Sequence, residues 1–136
     1  MVSLKVKIII TVIFCTLISI SCGKLEGEFA FKSFHDSMYM KKSDGAEFPA
    51  GEKIKWIFKL KDSSGHRKIG VLIMKKEMIW VEIKTRSDYI DKEKSIIYGT
   101  FDGLPSGKFQ IILTDVKRNN SKISKFNFTL YTPDEK

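Results

Sequence analysis

Four lysines at alternate positions are the residues with the clearest potential for binding chemistry. Lys53, Lys55, Lys59 and Lys61 fall on one side of a segment whose other side is apolar, and this period of two predicts a half-buried β-strand. Side chains on one strand face repeat about every 6.6 to 6.8 Å, so the ammonium groups would form a row. Such a row can bind the sulfates, phosphates or carboxylates of a polyanion. The alternative is an ordinary solvent face whose lysines prevent edge-to-edge aggregation.

Trp80 is a second candidate contact residue. It shares its predicted strand face with Glu82 and Lys84, so we expect the indole to be partly exposed. An exposed tryptophan can stack on a sugar or anchor a protein partner. The alternative is a face assignment displaced by one residue, which would place Trp80 in the core. The face that we expect to be buried carries Ile79, Val81 and Ile83.

Catalytic and metal-binding patterns are weak in this sequence. His35 and His66 belong to no His-x-His, His-Glu-x-x-His or Cys/His ligand pattern, and no Gly-x-Ser-x-Gly motif occurs. The acidic run from Asp88 to Glu93 could hold Ca²⁺ or be a solvated loop, and its spacing is not that of an EF-hand. We therefore expect a protein that is not an enzyme and that needs no metal or cofactor.

The first twenty-two residues have the features of a targeting segment. Lys5 and Lys7 precede an apolar run from Ile8 to Ile20, as in the basic and hydrophobic regions of a secretory signal peptide. Spanning a bilayer takes roughly 20 apolar residues, which disfavours a permanent transmembrane helix here. We expect a helical signal peptide over residues 1–21.

The end of this segment, Ser19-Ile20-Ser21-Cys22-Gly23, resembles the lipobox of bacterial lipoprotein precursors. In that family the cysteine thiol receives a diacylglycerol, signal peptidase II cleaves before it, and the new amine is acylated. The resemblance implies that acyl chains such as palmitate on Cys22 anchor the protein in a membrane of the bacterial cell envelope. Ser19 replaces the usual leucine, a relaxed form similar to that of spirochaetal lipoproteins. The alternative is an ordinary signal peptide cleaved nearby, which leaves Cys22 as a free thiol.

The remaining length allows one ordinary domain. Residues 22–28 would be the lipidated cysteine with a short tether, residues 29–132 the domain, and residues 133–136 a tail. Alternating apolar residues between turn-forming clusters predict about seven short strands and an all-β, antiparallel sandwich. In this interpretation the polar segment from Thr85 to Lys94 is a loop or crossover.

A second resemblance concerns the fold. Leu104-Pro105-Ser106-Gly107-Lys108-Phe109, followed by an apolar strand and a hairpin, is similar to the late strands of bacterial immunoglobulin-like and fibronectin-III-like modules. Those modules often have tyrosine where this chain has Phe109, so a tyrosine-corner hydrogen bond cannot form there. The resemblance implies an immunoglobulin-like sandwich and no particular function, since this fold carries out many unrelated tasks.

The formal net charge of +8 is compatible with anionic partners. Nucleic acid is not expected, because a secreted and anchored protein would rarely meet it. We predict a membrane-anchored, non-enzymatic module that binds a protein or an anionic glycan through the four lysines and Trp80. The alternative is a structural or accessory subunit of a periplasmic envelope complex that uses a sheet edge or an apolar patch. The anchor would hold the protein in the outer membrane or in a periplasm-facing membrane, with or without display at the cell surface.

Overall fold

The computed structural model describes residues 25–33, 35–61, 66–91 and 93–133. The predicted signal peptide and Cys22 lie outside these residues. Along the described chain we label the strands and one 3-10 turn as β1 (Gly27–Lys32), β2 (Ala46–Pro49), β3 (Ile54–Leu60), β4 (Arg67–Lys76), β5 (Trp80–Ile90), β6 (Ile96–Phe101), β7 (Gly107–Asp115), η1 (Val116–Arg118) and β8 (Ser121–Tyr131). Among the described residues, no helix has the length and apolar character that crossing a bilayer requires.

The strands form two sheets with the orders β1-β3-β6 and β2-β8-β7-β4-β5. A three-stranded sheet that packs against a larger sheet, in which the late strands β7 and β8 are neighbours, is the arrangement of an immunoglobulin-like sandwich. The prediction of an all-β sandwich is therefore confirmed. Two details differ from it. The described chain has eight strands instead of about seven, and β2 pairs with β8 in parallel, whereas every other described pair is antiparallel.

Aromatic rings from both sheets fill the core. On β3, Ile54, Trp56, Phe58 and Leu60 alternate with exposed or half-buried residues and are each at most 4% exposed. Phe31 of β1 meets Phe126 of β8 with ring centroids 4.6 Å apart, and Phe101 of β6 stacks on Phe128 at 4.4 Å. These rings contact each other between the two sheets and are removed from water. Their burial is the main contribution to the stability of the sandwich.

The β4–β5 hairpin differs from the prediction that residues 85–94 form a loop or crossover. β5 continues to Ile90, so most of the segment predicted as a loop or crossover is strand. The register shifts between Ile73 and Met74, where Ile83 is an extra residue of β5, so Glu82 lies opposite Met74 and Lys84 lies opposite Ile73. Because cross-strand partners share a sheet face, Trp80 and Glu82 lie on the outer face, and Lys84 lies on the face that carries the core.

The chain enters the domain at one end of the sandwich and the β4–β5 turn lies at the other. The amide of Lys61 donates to the carbonyl of Glu26 at 2.9 Å, so the start of β1 lies beside the end of β3. β4 begins a few residues later at Arg67 and runs away from this end to Lys76. The turn at residues 77–79 is therefore about 30 Å from the entry point, since ten residues in a strand rise about 3.3 Å each.

Candidate functional site

The four lysines singled out in the sequence lie along β3, on the solvent side of the three-stranded sheet. Lys55 and Lys59 are strand residues, Lys53 precedes the strand and Lys61 follows it, and all four are exposed. Between the two strand lysines, half-buried Ile57 lies opposite Ala30 of β1 and Tyr98 of β6. An apolar strip thus divides the row into two halves.

The two halves have different electrostatic surroundings. Lys59 lies opposite Glu28 of β1, and Glu28 forms an ion pair with Lys41 at 3.0 Å. The hydrogen bond from Lys41, its charge and the charge of Lys61 hold the pKa of Glu28 below its ordinary value. This end of the row is therefore a region of mixed charge. A polyanion would meet a carboxylate there, which weakens its attraction to Lys59 and Lys61.

The other half forms what we call the lysine cleft. Lys55 lies directly opposite Lys32 of β1, and both line a cavity of about 350 Å³ together with Lys53, Ser33 and Asp36. None of these three lysines forms an ion pair with any part of the chain that the structure describes. Like charges placed directly opposite each other on adjacent strands are destabilising. An anion bound between them would remove that repulsion.

Asp36 supplies the one negative charge of the lysine cleft. Its Oδ2 accepts hydrogen bonds from the Ser33 amide at 3.0 Å and from the Ser33 hydroxyl at 2.8 Å. These bonds hold the pKa of Asp36 below its usual range, so the group is ionised near neutral pH. Three ammonium groups against one carboxylate leave a net positive cleft. Lysines are compact point charges on flexible stems, which suits a hydrated polyanion better than a planar anion that needs a fixed fork of donors.

Lys32 is the member of the lysine cleft that sequence reasoning did not single out. It lies on another strand, β1, and the sequence alone does not show that β1 pairs with β3. The alternation of Phe29 and Phe31 was the available signal, because it places Ala30 and Lys32 on the solvent face of β1. Strand alternation finds which residues point outward, but only the register shows which of them meet.

Trp80 does not belong to this site. It lies on β5 in the five-stranded sheet, 36% exposed, with Nζ of Lys76 5.9 Å from its ring centre. The lysine cleft lies on the solvent face of the three-stranded sheet, on the other side of the sandwich. The structure therefore does not bring Trp80 and the four lysines together as one contact surface.

Trp80 instead adjoins an exposed apolar cluster, the hairpin tip, formed by Met78, Ile79, Val81 and Ile83. Met78 is 98% exposed and Ile79 is 72% exposed, while the other two are about 40% exposed. The expectation that Ile79, Val81 and Ile83 form a buried face is wrong. Both faces of β5 are exposed near this turn. The three-stranded sheet therefore does not cover the end of the hairpin, which projects beyond it.

The acidic run from Asp88 to Glu93 stabilises a turn. Oδ1 of Asp91 accepts the amides of Glu93 and Lys94 at 2.8 Å each, and these bonds hold the pKa of Asp91 below its ordinary value. Asp88 accepts Nζ of Lys94 at 3.0 Å. Where the structure describes side chains, no group of three His, Cys, Asp or Glu residues is placed to hold a metal ion.

No protein-family model matches this chain, and no curated protein matches it. Solved structures with a similar fold include an immunoglobulin-like protein from Pseudomonas aeruginosa, which is 9% identical with a TM-score of 0.49 and covers 79% of this chain and 95% of its own. A candidate lipoprotein from Bacillus anthracis is 16% identical with a TM-score of 0.45, covering 83% and 91%. A superoxide reductase (neelaredoxin) from Ignicoccus hospitalis is 10% identical with a TM-score of 0.48, covering 82% and 86%. At identities of 9 to 16% and TM-scores below 0.5, these structures imply nothing about the activity of this chain.

Proposed function

We propose that this protein is a lipid-anchored, non-enzymatic binding module of the bacterial cell envelope, and that its lysine cleft binds an anionic glycan. The observation that carries the proposal is the meeting of Lys32, Lys53 and Lys55 around one cavity without an ion-pair partner among the described residues. The lipobox-like sequence at Cys22 supports the anchor. The immunoglobulin-like sandwich is compatible with a binding role, although the fold alone does not imply one.

The surroundings of the lysines support unequal contributions to glycan binding. Lys53 and Lys55 belong to the cleft, while Lys59 faces Glu28 and Lys61 lies near it. We therefore expect the first pair, together with Lys32, to account for most of the affinity for a sulfated or carboxylated chain. The interaction should weaken with salt, because exposed charges are screened over about 8 Å at physiological ionic strength.

Heparin provides a defined probe for the lysine cleft. Replacing Lys32, Lys53 and Lys55 together by glutamine should lower the salt concentration at which the protein elutes from heparin and weaken binding by about tenfold or more. The matched control replaces three exposed lysines elsewhere, Lys108, Lys117 and Lys122, and so removes the same total charge. We expect this control to retain most of its affinity. Equal losses in the two triple variants would show that net charge, and not the cleft, binds heparin.

The proposed anchor has its own test. Cys22→Ala should abolish incorporation of an alkynyl palmitate and, because cleavage before the lipidated cysteine is then blocked, leave an uncleaved chain of larger mass. Cys15→Ala is the matched control, since the resemblance places that cysteine in the removed segment. Labelling that persists in Cys22→Ala would overturn lipidation at this residue without bearing on the lysine cleft.

A second candidate function, an accessory subunit of a periplasmic complex, is favoured by the hairpin tip. Apolar side chains as exposed as Met78 and Ile79 are typical of protein–protein contact sites when they cluster. This function predicts a complex of fixed stoichiometry after mild detergent extraction that salt does not dissociate. Replacing Met78 and Ile79 by serine should disrupt that complex, and the triple glutamine variant of the lysine cleft should leave it intact.

A further inference from the structure

A second cavity lies where the two sheets separate, between β5 and β6. It has a volume of about 420 Å³ and an apolar floor made by Trp56, Val71 and Ile73, each at most 7% exposed. Gly99 contributes a wall without a side chain, and a Cβ atom there would lie 2.8 Å from the indole of Trp56. A cavity of this size with an apolar floor and a few polar groups at its edge is typical of small-molecule sites.

The edge of this cavity is cationic. Lys84 and Arg86 of β5 line it, with the hydroxyl residues Thr85 and Thr100, and no acidic residue is among its lining groups. The guanidinium of Arg86 lies 5.8 Å from the centre of the Trp56 ring and donates a hydrogen bond to the carbonyl of Tyr98. It is thus held beside the floor of the cavity.

Lys84 differs from Arg86 in its ion pairing at this edge of the cavity. Its ammonium group forms no ion pair within the described parts of the chain, whereas Arg86 also approaches Asp88 at 3.7 Å. The bulge at Ile73 and Met74 turns Lys84 towards the face of the sheet that carries the core. An uncompensated cation beside an apolar floor is complementary to a molecule with an anionic head and an apolar body.

We propose that this cavity binds a medium-chain fatty carboxylate. Its acyl chain would lie along Ile83 above the floor of Trp56, Val71 and Ile73, and its carboxylate would contact Lys84 and the edge of Arg86. The cavity of about 420 Å³ is open to solvent on one side and is large enough to take one acyl chain of about 12 carbons, at roughly 30 Å³ per group. This site lies away from the lysine cleft and does not depend on the function proposed for it.

Tryptophan fluorescence can report this binding directly. The test uses the chain from Gly23 onwards, which retains all eight described strands and the described core, after a cooperative thermal melt has shown that it is folded. Trp80→Phe leaves Trp56 as the only tryptophan. The probe is 12-bromododecanoate, whose bromine quenches an indole that it contacts. We expect saturable quenching below the concentration at which the probe forms micelles.

Two comparisons make the result specific. Lys84→Glu should weaken binding by about tenfold, while Lys108→Glu, an exposed lysine of β7 with the same charge change, should alter it by less than about twofold. A bromododecyl trimethylammonium probe with the same tail should not saturate. Absence of saturable quenching in the folded protein would overturn the proposal, as would equal binding of the two probes or equal effects of the two lysine substitutions. None of these outcomes bears on retention by heparin.

Discussion

β3 and β5 carry similar sequence patterns and reach opposite outcomes. Both alternate charged residues with aliphatic residues and a tryptophan. On β3 the residues Ile54, Trp56, Phe58 and Leu60, which face the other sheet, are buried, because this strand is central in its sheet and the other sheet covers it. On β5 the apolar residues near the turn are exposed, because this strand forms an edge and its hairpin projects beyond the covered area. Alternation therefore identifies a strand, but a second sheet must cover the strand before its apolar face becomes a core.

The two strands also place their charges differently. The lysines of β3 point to solvent, whereas Lys84, Arg86 and Asp88 of β5 share the sheet face of the core residues Ile73, Val71 and Ile69. Inward-pointing charges on an edge strand discourage another strand from adding to the sheet. They also line the cavity between β5 and β6, so a feature that protects the edge gives that cavity its cationic character.

The largest expected effect comes from deleting a buried ring on β3. Phe58→Ala should lower the free energy of unfolding by about 3 to 5 kcal/mol, because it removes a fully buried aromatic side chain and leaves a cavity. Ile83→Ala on β5 is the comparison and should cost about 0.5 kcal/mol. Chemical denaturation measures both values. Similar losses would show that the projecting hairpin is packed as firmly as the core.

A smaller loss is expected from adding a methyl group beside the core tryptophan. Gly99→Ala should destabilise the protein by about 1 to 3 kcal/mol, since its Cβ would lie 2.8 Å from the rigid indole of Trp56. Thr100→Ala, at the adjacent exposed position of β6, serves as the control and should be nearly neutral. If Gly99→Ala did not change the free energy of unfolding, Trp56 could shift at little cost and would be packed less tightly than the other buried residues of β3.

The charges of β5 should add a modest, pH-dependent stabilisation. Burial raises the pKa of Asp88, but hydrogen bonds from Lys94 and the Tyr89 amide, with the nearby charges of Lys94 and Arg86, lower it by more, so the pKa lies below 3.8. This stabilisation is complete above the unfolded-state pKa and is lost as the pH falls through the lower folded-state value. Asp88→Asn should therefore cost less than about 1 kcal/mol at pH 7 and nothing in strong acid.

Unfolding of wild type and Asp88→Asn at pH 7 and in stronger acid tests this dependence. Asp102→Asn, in the exposed turn before β7, controls for the change in net charge. A difference between wild type and Asp88→Asn that persists unchanged into strong acid would contradict an ionic origin.

The smallest effect is expected at the hairpin tip. Met78→Ser should change the free energy of unfolding by less than about 0.5 kcal/mol, because the side chain is 98% exposed and leaves no cavity. Thermal and chemical melts measure this value. A loss above about 1 kcal/mol would mean that Met78 packs against the protein, and the contrast with β3 would no longer hold.

The sandwich was predictable where strands are covered on one face. β3 and the second half of β8 show the alternation that one buried and one solvent-exposed face produces, and the turns contain the expected Gly, Pro, Asp and Asn residues. β2 was not predictable in this way. It has four residues, ends in Pro49, and pairs in parallel with β8, about 80 residues later in the chain. Its existence depends on a distant partner and not on a local pattern.

The candidate sites were only partly predictable for a related reason. Lys53 and Lys55 were identified from one strand, but Lys32 joins them through the β1–β3 register. The cavity beside Trp56 depends on the β5 bulge and on Gly99 of β6, neither of which alternation reveals. Sequence patterns describe one strand at a time, whereas both sites are formed between strands.

The position at which the chain enters the domain has a mechanical consequence. β1 starts at the end opposite the β4–β5 turn and pairs with β3 along its whole length, from Gly27 opposite Leu60 to Lys32 opposite Lys55. A pull on the amino terminus, while a ligand holds the far end, acts parallel to these strands. The hydrogen bonds of the pair then share the load in shear and do not open one after another. A molecule anchored through its amino terminus would resist tension through β1, its first strand.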